Sequence, residues 1–177
     1  MTQTKIDPRI IDQITEGSLV IDNASDFKKL LDAFPDRAEI HRAHADFLFR
    51  KKKFFEAGIA YRKASALFLE RGQTLPALAA AMNKWDIVKP LSREMRALFL
   101  AIHKRDSHAT AVAECCAKMS YPEMNSIFRA AKLRRLSPDE ILISPDDPEN
   151  ILCFVVSGRI EKVPDGSSNE DTGAIYN

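Results

Sequence analysis

Glycine is scarce in this chain, with 6 residues in 177. So few leave little material for a loop that cradles phosphate, and no Gly-x-Ser-x-Gly elbow or His-Glu-x-x-His pair occurs. Cysteine is scarcer still. Cys115, Cys116 and Cys153 are odd in number and irregular in spacing, which argues against a disulfide framework. Cys115 and Cys116 sit in an Ala-rich helical run, where adjacent side chains project in different directions and are poorly placed to hold one ion. They are expected to be buried, reduced thiols, which suits the cytoplasm. Neither sign of charge prevails: 26 Lys and Arg face 25 Asp and Glu. A near-neutral chain offers no long-range attraction to nucleic acid or to an anionic membrane. No apolar run approaches the roughly 18–20 residues of a membrane span, and no apolar stretch follows a basic start, so no signal peptide is expected. Nothing in this inventory supports catalysis, and neither a metal nor a bound cofactor is expected in the chain.

What is present is helical periodicity. From Ser25 to Leu133 the apolar residues recur almost without interruption at helical spacing. Ser25 reads as an N-cap before Phe27, Leu30, Leu31 and Phe34, and Pro35 stops that helix. A second run, Ala38 to Lys51, places Ile40, Ala43, Phe47 and Leu48 on one face. After Arg50-Lys51-Lys52-Lys53 a third carries Phe54, Ala57, Tyr61, Ala64 and Phe68, with Gly72 as its terminating residue. Leu75 to Val88, closed by Pro90, carries Leu78, Ala79, Met82 and Trp85. Ser92 to His103, Ala109 to Met119 and Tyr121 to Leu133 supply three more helices. Short connections make neighbours antiparallel. Phe27, Phe47, Phe54, Tyr61, Leu78, Trp85 and Phe99 are the expected aromatic and apolar core.

Ala45 and Leu48, then Ala57, Tyr61 and Ala64, resemble the signature of the tetratricopeptide repeat family. Small residues at these positions let two helices cross closely while an aromatic ring fills the adjacent gap. Moving on by the family's period of about 34 residues meets Leu75, Leu78, Ala79 and Met82. The second helix of that repeat matches poorly, because Pro90 falls near its start. His41 and His44 stand where the repeat prefers large apolar residues. The resemblance implies an α-solenoid with a concave face for a protein partner.

The texture changes after Leu133. Ile141-Leu142-Ile143, Ile151 to Val156, Arg159 to Val163 and Ala174-Ile175-Tyr176 read as short strands between polar turns. The stretch from Tyr121 to Val163 resembles the N-terminal part of the cyclic-nucleotide-binding domain family. It has a lead-in helix, Lys132-Leu133-Arg134-Arg135-Leu136, then Ser137-Pro138-Asp139-Glu140 and the strand-like Ile151 to Ile160. Glu140, Phe154 and Gly158 are the structural-motif residues this resemblance singles out. Gly158 is free to take a positive φ and turn the chain before Arg159. Phe154 and Val156 would face one side of a strand, Cys153 and Val155 the other. That family holds its ligand through a later Gly-Glu loop and an Arg, and no such run follows here. No ligand-contacting residue is therefore carried over.

The expected fold is mainly α and in two parts, antiparallel TPR-like hairpins followed by an incomplete antiparallel β-roll. The corresponding divisions are residues 1–24 as an N-terminal segment, 25–119 as the helical repeat domain, and 120–177 as the start of the cyclic-nucleotide-binding-like domain. An open half-roll exposes unpaired strand edges, so the chain is expected to be a fragment rather than a protein with a vestigial roll. The resulting functional expectation is a cytoplasmic regulatory protein, not an enzyme, sensing cyclic AMP or cyclic GMP in its intact form. The alternative is a TPR-like protein-binding scaffold whose roll binds nothing. His41 and His44, with no third ligand nearby, are expected to be packed or solvated helix histidines. Arg50 to Lys53, at a helix C-terminus, are expected to be solvated charge, and Lys132, Arg134 and Arg135 form a second basic cluster.

Overall fold

The computed structural model describes residues 7, 9–104, 110–137, 139–144, 152–158 and 160–161. Its elements are α1 (Arg9–Thr15), α2 (Ala24–Ala33), α3 (Ala38–Arg50), α4 (Phe54–Glu70), α5 (Thr74–Ile87), α6 (Ser92–His103), α7 (Ala111–Lys118) and α8 (Tyr121–Ala130). No helix among them is long and apolar enough to cross a membrane.

The central unit is the α3–α4–α5 array. Ala45, Ala57 and Ala64 are fully buried, and their methyl groups let α3 and α4 approach closely. Tyr61, also fully buried, fills the space beside Ala45 and Ala57. A second seam of small residues joins Ala38 and Ala64 to Ala77 and Ala80 of α5. There the Ser65 hydroxyl donates to the Ala77 carbonyl at 2.9 Å, satisfying both groups inside the seam. The turns after α3 and α4 are built alike. Lys53 N–H donates to Leu48 O and Gln73 N–H to Phe68 O, each at 2.9 Å, the six-to-one bond of a Schellman cap. The left-handed residue is Lys52 at φ +60 in the first turn and Gly72 at φ +78 in the second.

On one side of this array, α1 and α2 cover α3: Ile11, Ile14, Leu30 and Ile40 share an apolar cluster. The isoleucines of residues 10, 11 and 14 carry a helical period inside the segment expected to precede the fold. The N-cap of α2 is Asn23 rather than Ser25, since the Asn23 side chain accepts from Ser25 N–H at 2.8 Å. On the other side, Ala81, Leu98, Ile102 and Met124 join α5, α6 and α8, with Trp85 edge-on to Phe128. Lys84 pairs with Glu94 at 2.7 Å across the α5–α6 connection. Ser120 N–H donates to Glu123 Oε2 at 2.7 Å, and Pro122 occupies the first turn of α8, where a missing N–H costs nothing.

The expected β-roll is overturned. Among the described residues no strand is formed. Ile141, Leu152 and Phe154 are exposed, so no second layer buries an alternating face. Alternation supplies strand character only where a neighbouring strand and a packed face complete it. The remaining expected strand residues, including Ile151, Arg159 and Ala174 to Tyr176, lie outside the described residues. Two smaller differences accompany this. Phe54 is 46% exposed, its ring edge-on to Phe49 rather than in the core. Cys115 and Cys153 are exposed and Cys116 is half-buried.

Candidate functional site

Arg42, Asp46 and Phe49 lie four and then three residues apart on α3 and therefore share one side of it. Asn83 stands on α5, and α4 packs against both of these helices. Tyr61 connects the array's interior to this face. Its ring lies in the alanine seam, while its hydroxyl donates to Asp46 Oδ1 at 2.5 Å. Burial, with the Asp46 charge beside it, pushes the Tyr61 phenol well above its usual range. Tyr61 thus remains a donor to Asp46 and keeps an oxygen lone pair for a second partner.

That second partner is Arg135, from the segment after α8. Its Nη2 donates to Asp46 Oδ1 at 2.6 Å, to Tyr61 Oη at 2.8 Å and to Asn83 Oδ1 at 3.2 Å. Its guanidinium carbon stands 5.6 Å from the centre of the Phe49 ring, within cation–π range. Burial works against the Arg135 charge, but Asp46 and Tyr61 outweigh it and hold its pKa above the ordinary value, with Asp86 adding in the same sense. One turn before Asp46, Arg42 presents a buried Nε with no hydrogen-bond partner. Burial pulls the Arg42 pKa down despite the nearby Asp46 and Glu39 carboxylates. The result is an acidic, aromatic-walled socket for a guanidinium.

The segment that fills the socket is held lightly. Residues 131–137 belong to no helix, and no backbone hydrogen bond to another described residue fixes 132–136. Arg135 itself is 51% exposed, and ion pairs of such exposure contribute about 0–1 kcal/mol. Beyond it, Arg134 pairs with Glu140 at 3.0 Å and donates to Leu142 O at 3.3 Å.

Of the residues singled out from the sequence, Glu140 anchors a turn. Its Oε2 accepts from Ser137 N–H at 2.8 Å, and its own N–H donates to Ser137 O at 3.1 Å. That backbone donor, with Arg134, holds the Glu140 carboxyl below its usual range. Gly158 takes φ +88, and a Cβ added there would meet nothing within 4 Å, so the conformation alone calls for glycine. Phe154 lies half in solvent and outside the four apolar clusters. The structure does not gather these three into one site. His41 Nε2 lies 2.7 Å from Pro35 O, and the His44 ring packs against Phe27 and Phe47.

Sequence reasoning missed Asp46, Asn83 and Arg135 as partners, although Tyr61 was singled out for its bulk. Arg42 and Asp46, oppositely charged residues one turn apart on α3, were the available signal. Nothing in sequence spacing pointed to Arg135. Neither a protein-family model, nor a curated protein, nor a solved structure matches this chain.

Proposed function

We propose that this chain is a protein-interaction module of regulatory type, not an enzyme, whose α3–α5 face receives an extended segment of a partner protein. The observation that carries the reading is residues 131–137, a segment outside any helix that is seated on that face through Arg135. A face that holds an arginine of its own chain already presents the acceptors and the aromatic wall that an arginine-bearing peptide would use. Helical hairpins suit the task because their stacking holds side chains of successive helices at fixed spacing, so recognition requires little reorganisation. The TPR-like pattern of Ala45, Ala57, Tyr61 and Ala64 supports the same reading. The expectation of cyclic-nucleotide sensing depended on a roll of strands, and among the described residues no strand is formed.

Selection of random displayed peptides on the immobilised Arg135→Ala chain tests the proposal. Enriched sequences, resynthesised, should bind the folded chain and lose affinity when Asn83 or Phe49 is replaced by Ala. Failure of any peptide to enrich, or binding indifferent to both substitutions, rules the reading out.

A further inference from the structure

We propose that the Asp46–Tyr61–Asn83–Phe49 socket recognises an arginine side chain of a partner's extended segment, and that Arg135 occupies it in cis as a displaceable plug. The inference rests on the peptide-binding reading and adds both the ligand's chemistry and its regulation.

Three observations carry it. The first is the acceptor set. Asp46 Oδ1, Tyr61 Oη and Asn83 Oδ1 all lie within 3.2 Å of Arg135 Nη2, and all three accept hydrogen bonds there. The Tyr61 proton is already committed to Asp46, so the phenol faces the socket as an acceptor. The second is the wall. The Phe49 ring lies beneath the guanidinium carbon, a placement that favours a planar delocalised cation over a compact, strongly hydrated ammonium. The third is the balance of charge. Asp46 and Asp86 both favour the charge at the Arg135 position, while Arg42 opposes it as a like charge that burial itself disfavours. With Arg135 withdrawn, the socket keeps its carboxylates and selects for positive charge.

The plug is built to leave. It is attached through 131–134, it has no backbone ladder to break, and half of the Arg135 side chain is in water. A tethered segment nonetheless competes at an effective concentration in the millimolar range, so the intact chain should bind weakly and an unplugged one more tightly.

The test uses the intact 177-residue chain and its Arg135→Ala variant, with a fluorescein-labelled heptapeptide of residues 131–137 added in trans. Three versions carry Arg, Lys or citrulline at the place of the second arginine. Anisotropy should give an affinity up to about fivefold tighter for Arg135→Ala than for the intact chain, as release of a plug held by about 0–1 kcal/mol implies. Citrulline, which keeps the shape and loses the charge, should weaken binding by about tenfold, and Lys should fall between. Asp46→Asn should abolish the preference for Arg over citrulline. Should that variant unfold, Asn83→Ala, at a half-buried position, should weaken the Arg peptide in its place.

Equal affinity of the intact and Arg135→Ala chains for the Arg peptide overturns the plug. Equal affinity for Arg and citrulline overturns the arginine socket while leaving a peptide-binding face intact. The absence of binding by every peptide, in this assay and in the random selection, removes the peptide-binding reading itself.

Discussion

Lys52 and Gly72 do the same backbone work at the ends of α3 and α4, but only glycine does it without a steric penalty. The left-handed region costs an L-residue roughly 1–2 kcal/mol, partly offset by the larger unfolded-state freedom of glycine. Lys52→Gly should therefore stabilise the chain by about 0.5–1 kcal/mol, seen as a higher urea midpoint at unchanged slope. An unchanged or lower midpoint would show that the Lys52 side chain compensates. His44 sets a pH dependence of defined sign. Burial, with His41 close by, lowers its pKa below the ordinary 6.5. Above 6.5 the ring is neutral whether the chain is folded or not, so it adds no slope. As pH falls through 6.5, the unfolded chain takes up the proton first, and stability drops until the folded-state pKa is passed. Between pH 7.5 and 5.5 the intact chain should consequently lose more stability than His44→Leu does. Parallel loss in the two chains would mean that other groups govern this window. The left-handed turn at Gly72 was legible, since glycine after an apolar helical run has one common use. Lys52 gave no such sign, because nothing in a run of three lysines marks which one bends backward.

At the scale of elements, α3, α4 and α5 were legible nearly to the residue because each bound has a local cause: a proline, a Schellman turn or a polar break. The alanine seam was legible for the same reason that it is sensitive. Ala57 is wholly enclosed between α3 and α4, so Ala57→Trp should force the helices apart and cost about 1–3 kcal/mol. Thermal denaturation measures this directly, and a melting temperature within a degree of the parent would mean the seam has slack. The helix α1 escaped notice because its seven residues carry few turns of periodicity, and burial of Ile11 and Ile14 depends on Leu30 and Ile40 elsewhere in the chain. The strand expectation failed for the complementary reason. Ile141, Leu152 and Phe154 have the residue types of strands, but pairing is a non-local property and local alternation does not supply it.

In the whole molecule the most extensive helix contacts join chain neighbours, α3 with α4 and α4 with α5, so stability should be passed locally along the chain. Met124 is 1% exposed in the cluster that joins α8 to α5 and α6. Met124→Ala should cost about 2–5 kcal/mol locally, which hydrogen exchange would register as faster opening of α7 and α8 with α3 and α4 still protected. Uniform loss of protection would instead make the chain one cooperative block. The apolar content of this body was legible from sequence, whereas the socket was legible only in part. Tyr61 announced itself through the alanines around it, but the contact that defines the site reaches from Asp46 to Arg135 across 89 residues. That separation has a consequence in time. Asn83 completes the socket 52 residues before Arg135 is added. At about 5–20 residues per second, synthesis leaves roughly 3–10 s in which the socket exists and its plug does not. A partner present at the ribosome meets an unguarded site, and one arriving later must displace Arg135, so the order of synthesis favours assembly on the nascent chain.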